Sequence, residues 1–230
     1  MYAIVLCGGM GTRLGSLTKS VPKPLLDVAG RPFLSYVLDQ LCLSDIDGII
    51  LAVGYRANMI RQAIGLSWKG VPVWYSEESK PMGTGGAICL AMSSFSLDTA
   101  LICNGDSLFK CDLKVFISKA SQPNICTQLA VSYTANVERY GSIVLGPKGS
   151  VVEFREKGTK AGGLFNTGIY IQKAEALAAF GNSPFSYEQD YLAALPPKIS
   201  IRGVSLDGYF IDIGIPKDLE RARRELPLLS

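Results

Sequence analysis

Short apolar segments alternate with helix-patterned segments through the first half of the chain, and this alternation limits the possible folds more than any other feature. The predicted strands are 2–6, 49–53, 71–75 and 100–103. The predicted helices are 31–43, about 56–65 and 84–95. Parallel strands need crossover connections, usually helices, so this order predicts a mainly parallel sheet that is covered on both faces.

The second half of the chain carries more strand and less helix. Its predicted strands are 128–133, 142–145, 151–156, 165–172, 199–204 and 208–213. Its predicted helical segments are 174–180, 186–195 and 216–225. No linker, repeat or low-complexity segment separates the halves, and 230 residues are enough to bury a sizeable core. We therefore expect one α/β domain whose second half is an α+β insertion or extension.

Composition excludes several classes of function. The chain has no histidine, so Ser-His-Asp and Cys-His mechanisms are not available to it. Its six cysteines are scattered singly, which argues against a zinc site and favours reduced thiols. The net charge of +3 is too small to indicate nucleic-acid or membrane binding. With no signal peptide and no run of ~20 apolar residues, we expect a cytoplasmic protein without a membrane or nucleic-acid partner.

The stretch VLCGGMGTRLGSLTKSVPKPLLDV, residues 5–28, places three glycines directly after the first strand. We call residues 7–26 the opening loop. Closely spaced glycines let backbone amides point into one concavity that suits a phosphate, and Arg13 and Lys23 add positive charge. The prolines on both sides of Lys23 restrict the backbone there. The alternative interpretation is an ordinary glycine-rich turn with surface cations.

Two familiar phosphate-binding patterns do not fit the opening loop. When GxGxxG is counted from Gly9, the third glycine would be residue 14, which is a leucine. The pattern GxxxxGK[ST] is absent as well. The loop is therefore neither the standard loop of a nicotinamide-dependent oxidoreductase nor a P-loop.

GGMGTRL followed by PKPLL resembles the signature GGxGTRL…PKP of the sugar-1-phosphate nucleotidylyltransferases. The segments MGTGGA, NGD, FREK, NTGIY and IDIG occur in that family's order. Within the family, CGGMGTRL, NGDSLF, FNTGIYI and GYFIDIGIPKDLERAR resemble the guanylyltransferases that act on D-glycero-α-D-manno-heptose 1-phosphate. The resemblance implies a Rossmann-like three-layer α/β fold with a mixed, mainly parallel central sheet. It also implies a single domain, 1–230, with a nucleotide-binding half (1–125), a sugar-phosphate-binding half (126–230) and no left-handed β-helix domain.

The resemblance implies a reaction in which a sugar 1-phosphate attacks the α-phosphorus of a nucleoside triphosphate and pyrophosphate leaves. A phosphate monoester has a second pKa near ~6, so this nucleophile needs no histidine as a base. The implied catalytic residues are Arg13, Lys23, Asp106 and Asp212. The two aspartates would hold Mg²⁺. The structural alternatives are a turn aspartate for Asp106 and an N-terminal helix cap for Asp212.

The resemblance also assigns substrate contacts. The implied nucleotide-binding residues are Leu6, Gly8, Gly9, Gly11, Thr12, Arg13, Gly83 and Thr84. The implied sugar-phosphate-binding residues are Tyr140, Gly141, Glu156, Lys157, Asn166 and Thr167. Relatives often have proline after the Glu-Lys pair, whereas this chain has Gly158, so the shape of that loop is open. The structural alternatives are a cross-strand surface pair for Glu156 and Lys157 and a strand-start aromatic residue for Tyr140.

The choice of base follows from chemistry. Guanine presents two adjacent donors, N1–H and the N2 amino group, and a carboxylate accepts from both. We predict Glu78 as the residue that reads guanine, with Glu77 as second choice. A solvated acidic loop is the alternative interpretation of this pair.

We therefore expect a Mg²⁺-dependent enzyme that takes GTP and a heptose 1-phosphate and makes GDP-heptose for capsule or another surface glycan. The nearest alternative is the same chemistry on mannose or glucose 1-phosphate with GTP, UTP, dTTP or CTP. An alternative of another class is a non-catalytic nucleotide-sugar-binding regulatory subunit. Exposed strand edges in the second half make a homodimer compatible with the sequence.

Overall fold

The computed structural model describes residues 1–9, 11–120, 124–138, 140, 142–155, 162–195 and 199–229. The strands are Tyr2–Leu6 (β1), Asp27–Val28 (β2), Arg31–Pro32 (β3), Gly48–Val53 (β4), Ser67–Trp68 (β5), Val71–Glu77 (β6), Thr99–Asn104 (β7), Ser107–Lys110 (β8), Thr127–Thr134 (β9), Ser142–Leu145 (β10), Val151–Arg155 (β11), Gly163–Lys173 (β12), Ile201–Ser205 (β13) and Tyr209–Asp212 (β14). The α-helices are Phe33–Leu41 (α1), Ala57–Ile64 (α2), Gly83–Ser94 (α3), Leu113–Ala120 (α4) and Pro216–Glu225 (α5). Short 3₁₀-helices are Thr12–Thr18, Lys23–Leu25, Pro147–Gly149, Ala174–Phe180 and Leu226–Leu228, and Tyr187–Leu192 is a π-helix.

One central sheet takes strands from both halves of the chain. Its main path runs β11-β10-β12-β7-β1-β4-β6-β5, and β9 pairs with β12 and carries β13. The central strands β7, β1, β4 and β6 are parallel neighbours, whereas β12 is antiparallel to β7 and β9. The prediction of a mixed, mainly parallel central sheet is confirmed.

Side chains alternate between the two faces of β1 and pack into two separate hydrophobic cores. Ala3 and Val5 join the cluster that α1, α2, α4 and α5 cover. Ile4 joins the cluster that α3 and the π-helix cover. Both faces of the sheet are covered at β1 and β4, so side chains on either face of these strands are shielded from water. This explains why both strands are continuous apolar runs in the sequence. Helices, sheet and helices form the three layers of the expected Rossmann-like fold, which is confirmed.

Two elements after β7 had no counterpart in the prediction. Ser107–Lys110 forms β8, which pairs antiparallel with β14 in a separate two-stranded sheet. Leu113–Ala120 forms α4, whose start is marked by Asp112, since its Oδ1 accepts the Val115 N–H at 3.0 Å. An aspartate three residues before a helical N–H is a recognisable cap signal. No helix in the described part of the chain is long and apolar enough to cross a membrane.

Candidate active site

A cavity of about 190 Å³ opens where β1 and β7 end. Its lining residues are Leu6, Cys7, Gly9, Gly11, Thr12, Arg13, Lys23, Pro24, Asp106 and Gly214. The ends of parallel strands are where open α/β sheets bind ligands, because loops on both sides diverge there. The fold thus brings the opening loop together with the segments after β7 and β14.

The opening loop closes on itself around Thr18. The buried Thr18 hydroxyl donates to the Gly11 carbonyl at 3.0 Å. Gly11 has φ +64°, and a Cβ there would lie 3.1 Å from Lys23 Cβ, so glycine suits both the backbone and the packing. At Gly9 a side chain would meet nothing within 4 Å. Gly9 therefore leaves its backbone open to the cavity.

Lys23 lies at the floor of the cavity between two carboxylates. Its Nζ is 2.6 Å from Asp106 Oδ2 and 3.4 Å from Asp212 Oδ1. The lysine side chain is 6% exposed, so its charge is stabilised mainly by these carboxylates. Pro22 and Pro24 flank it and fix the 3₁₀ turn that aims it inward.

The pairing of β8 with β14 brings the two aspartates together. Asp212 is opposite Ser107 in the register, and the Ile213 N–H donates to the Asp106 carbonyl at 3.1 Å. The Gly214 N–H donates to Asp212 Oδ1 at 2.7 Å. A Cβ at Gly214 would lie 3.0 Å from that oxygen and 3.3 Å from Lys23 Nζ, which explains the glycine.

Arg13 and Cys7 differ sharply in exposure. The Arg13 side chain is exposed at the cavity, and the residues that the structure describes give its guanidinium no hydrogen bond or ion pair. Cys7 is buried, and desolvation, with a smaller contribution from Asp106, raises the pKa of its thiol far above the usual range. Cys7 is therefore a neutral wall of the cavity and not a nucleophile.

Glu78 lies just after β6 and points across the base of the opening loop. Its Oε2 accepts the Met82 N–H at 2.9 Å. A Cβ at Gly54 would lie 2.5 Å from Glu78 Oε1, and one at Gly8 would lie 3.1 Å from it, so both glycines make room for this carboxylate. Glu77 is exposed and pairs with Arg61 at 2.8 Å. Of the two glutamates, Glu78 is the one beside the opening loop.

The glycine segment at the start of α3 packs against Phe185. A Cβ at Gly83 would lie 2.4 Å from the Phe185 carbonyl oxygen, and one at Gly85 would lie 2.1 Å from the Phe185 ring. Thr84 Oγ1 accepts the Tyr187 N–H at 2.9 Å. Close packing against the segment before the π-helix thus explains glycines at 83 and 85, a reason that the sequence pattern did not reveal.

The predicted sugar-side residues have varied surroundings. Thr167 is buried, and its hydroxyl donates to the Ala130 carbonyl at 2.8 Å, so only its backbone is available to a ligand. Asn166 Nδ2 donates to Tyr170 Oη at 2.7 Å and to Glu188 Oε1 at 3.2 Å. Glu188, on the exposed side of the π-helix, was not predicted from the sequence.

Tyr140 lies in an aromatic group with Phe165 and Phe210. The ring centroids are 5.1 Å and 5.3 Å from that of Tyr140. Gly141, Glu156 and Lys157 lie outside the described residues. The aromatic group is consistent with the packing alternative for Tyr140.

Two carboxylates beside Lys23, one of them lining the cavity, suit a hard divalent cation. Asp106 and Asp212 supply carboxylate oxygens, and a cationic Nζ already bridges them. Across the described ranges, no group of three or more His, Cys, Asp or Glu side chains could hold a metal ion. Mg²⁺ usually takes one or two carboxylates and completes its shell with water and substrate phosphates, so two aspartates fit it.

Comparisons with known proteins agree with this geometry. The family model described as "Nucleotidyl transferase" matches residues 2–227, and the chain belongs to that family. It is 37% identical over 227 residues to the D-glycero-alpha-D-manno-heptose 1-phosphate guanylyltransferase of Aneurinibacillus thermoaerophilus, covering 98% of each chain. It is also 37% identical over 219 residues to the protein of the same name from Campylobacter jejuni, covering 95% of this chain and 96% of that protein.

A solved structure is similar over nearly the whole chain. The crystal structure of HddC from Yersinia pseudotuberculosis complexed with GMP-PN superposes with a TM-score of 0.86 at 32% identity. The match covers 98% of this chain and 99% of that one. The fold described above is therefore that of a nucleotidyltransferase.

Proposed function

We propose that this protein transfers GMP from GTP to D-glycero-α-D-manno-heptose 1-phosphate, giving GDP-heptose and pyrophosphate for a surface glycan such as capsule. The observation that carries the proposal is the Lys23–Asp106–Asp212 cluster beneath the glycines of the opening loop. The substrates are inferred from the names of two relatives that are 37% identical to this chain and match it over nearly the whole length. The free cysteines are compatible with a cytoplasmic enzyme, and a homodimer stays a prediction.

Catalysis in this proposal is positioning and charge neutralisation. The sugar phosphate is already largely dianionic at neutral pH, so an oxygen of it can attack the α-phosphorus without a protein base. Backbone amides of the opening loop, around Gly9 and Gly11, hold the triphosphate. The exposed guanidinium of Arg13 binds the β- and γ-phosphates and stays with the pyrophosphate as it leaves. Lys23 lies deeper and neutralises the reacting α-phosphate.

Asp106 and Asp212 would hold Mg²⁺ at the floor of the cavity. When bound, the ion supplies charge neutralisation at the phosphate oxygens and fixes their orientation. The Gly214 N–H keeps Asp212 in place through its 2.7 Å hydrogen bond. Lys23 keeps the two carboxylates near each other before substrate binds, because one cation between two anions lowers their repulsion.

We propose that Glu78 reads guanine through Oε1, while Oε2 stays on the Met82 N–H. Glu78→Gln keeps the size of the side chain and an acceptor for Met82, but it replaces one carboxylate oxygen with an amide donor. We expect kcat/KM for GTP to fall by about 10- to 100-fold, the range for hydrogen bonds to a charged group. Use of UTP and dTTP should rise relative to GTP, because these bases present a carbonyl acceptor there.

Glu77→Gln is the matched control for this prediction. It makes the same chemical change one residue earlier, at an exposed side chain paired with Arg61. We expect kcat/KM for GTP to change by less than about twofold, since exposed ion pairs contribute little. An unchanged preference for GTP in Glu78→Gln would remove the base-reading role from this residue.

The sugar side of the proposal involves Asn166 and its partner Glu188. The Asn166 amide nitrogen is already engaged by Tyr170 and Glu188, so the exposed Glu188 carboxylate is the acceptor that a sugar hydroxyl would reach. Desolvation, followed by the charge of Glu188, raises the pKa of Tyr170 well above its usual range. Tyr170 therefore stays a neutral donor to this carboxylate, at 3.3 Å.

The product tests the proposal directly. The purified protein is incubated with Mg²⁺, GTP and the heptose 1-phosphate, and the reaction is analysed by mass spectrometry. GDP-heptose, formed with one pyrophosphate per molecule, is the expected result. Nucleotide binding without any transfer to the heptose 1-phosphate would overturn it and favour the regulatory-subunit alternative.

A further inference from the structure

Arg56 lies outside the cavity, in the turn between β4 and α2, yet it contacts the opening loop. Its guanidinium donates to the Ser20 carbonyl at 2.8 Å and also to the Lys19 carbonyl. We infer that Arg56 is a positioning residue that holds residues 19 and 20 of the opening loop and thereby the approach of Lys23 to the cavity. Neither the sequence pattern nor the comparisons assign a role to it.

The carbonyls that Arg56 binds lie at the end of a 3₁₀-helix in the loop. Lys19 is the C-cap of the 3₁₀-helix Thr12–Thr18, where carbonyls lack partners within the helix. Arginine side chains near such an end can satisfy these carbonyls. Lys19 and Ser20 are exposed, and after the half-buried Val21 the chain continues into the buried Pro22 and Lys23. A shift at residues 19 and 20 would therefore be passed to the cavity floor over a short, proline-stiffened segment.

Two neighbouring parts of the loop are held by different contacts. Thr18 closes the inner side through its hydrogen bond to the Gly11 carbonyl. Arg56 attaches the outer side to the body of the protein, because β4 and α2 are part of the central sheet and its covering layer. Without Arg56, the Thr18 bond would keep the loop's internal shape but not its position over the sheet.

The backbone at Arg56 supports a specific role. Its φ of +56° is in the left-handed region, which is unfavourable for a residue with a long side chain. The side chain also lies over the Tyr55 ring, with Nε donating to Tyr55 Oη at 2.8 Å. These contacts orient the guanidinium toward residues 19 and 20. Glycine or asparagine would fit this backbone with less strain, so what arginine adds at this position is the set of contacts that its side chain makes.

The test compares Arg56→Asn with Arg61→Gln. Asparagine tolerates the left-handed backbone, so the first variant removes the loop contacts without adding strain. The second removes the same charge from the adjoining helix α2, at a partly exposed side chain paired with Glu77. Both variants therefore change the net charge of the protein by the same amount. Thermal unfolding of each should stay within a few degrees of the unsubstituted protein, as is usual for exposed substitutions.

Trypsin cleavage after Lys19 measures the position of the loop without requiring activity. Cleavage occurs from locally opened states, and Lys23 is followed by proline and resists the enzyme. We expect fragments cut after Lys19, identified by mass, to form about tenfold faster in Arg56→Asn than in Arg61→Gln, the effect of losing about two hydrogen bonds. Equal cleavage rates in the two variants would overturn the inference.

A kinetic measurement shows whether the loop position matters for the reaction, and this part rests on the proposed function. In Arg56→Asn, kcat/KM for GTP should fall by about tenfold, with KM for the sugar 1-phosphate changed less than about twofold. If the unsubstituted protein releases no pyrophosphate, the proposed function is refuted. The trypsin result would still decide whether Arg56 holds the loop. Faster cleavage with unchanged kinetics would overturn the link to the cavity.

Discussion

Replacing Lys23 by methionine should lower the rate of pyrophosphate release by about a thousandfold, the upper range for losing one preorganised charge donor at a reacting phosphate or oxyanion. Methionine keeps the apolar stem that fills the space beside Gly11, so packing in the opening loop is retained. The ammonium that lies 2.6 Å from Asp106 and 3.4 Å from Asp212 is lost. The measurement is kcat with saturating GTP and heptose 1-phosphate.

Lys19→Met is the control for the Lys23 prediction. It makes the same chemical change four residues earlier in the opening loop, at an exposed side chain. We expect its kcat to stay within about threefold of the unsubstituted value, because exposed charges are strongly screened. Thermal unfolding of Lys23→Met should remain cooperative, since Asp106 is 39% exposed and can be hydrated once the lysine is gone. A Lys23→Met protein that kept a tenth or more of the original kcat would contradict the assigned role.

Asp106→Asn should lower kcat/KM by about a hundredfold or more and raise the Mg²⁺ concentration needed for half-maximal rate. An amide is a neutral and weaker ligand for a hard cation than a carboxylate. Asp212→Asn should act in the same direction, while its amide oxygen keeps the hydrogen bond from the Gly214 N–H. The measurement is pyrophosphate release across a Mg²⁺ titration for each variant.

Asp207→Asn provides the comparison for both aspartates. Asp207 is exposed in the segment just before β14, and the variant should have the Mg²⁺ dependence of the unsubstituted protein. If Asp106→Asn and Asp212→Asn kept the original Mg²⁺ dependence, the metal site would have to lie elsewhere. We expect both Asp106→Asn and Asp212→Asn to need more Mg²⁺, because both aspartates contact Lys23 and therefore lie at the same site.

Local patterns in the sequence were enough to predict the central strands and the covering helices. Helix 216–225 was predicted at the bounds that the structure gives, because its apolar and charged residues follow a helical period. The opening loop was recognisable because glycines, Arg13 and Lys23 fall within one short segment. Signals confined to a few neighbouring residues can be read without knowing the rest of the fold.

Features that depend on distant pairing could not be read in this way. Asp106 and Asp212 meet because β8 pairs with β14, and no local pattern encodes that register. The π-helix that presents Glu188 gives the same helical periodicity as an ordinary α-helix over so short a run. The contact of Arg56 with residues 19 and 20 joins two loops from different strands. Gly83 was predicted to contact a ligand, whereas the packing of Gly83 and Gly85 against Phe185 becomes visible only in three dimensions.

The most direct test of the proposed function is kcat/KM for pyrophosphate release with Mg²⁺, measured for each pairing of a triphosphate with a sugar 1-phosphate. The triphosphates are GTP, ATP, UTP, CTP and dTTP, and the sugar 1-phosphates are those of D-glycero-D-manno-heptose, mannose, glucose and N-acetylglucosamine. We expect the highest value for GTP with the heptose 1-phosphate. The value for GTP with mannose 1-phosphate should be at least about tenfold lower, which corresponds to about 1.4 kcal/mol in the transition state. A higher value for another triphosphate or another sugar would contradict the proposed specificity, and no release from any pair would contradict the assignment of catalysis to this cavity.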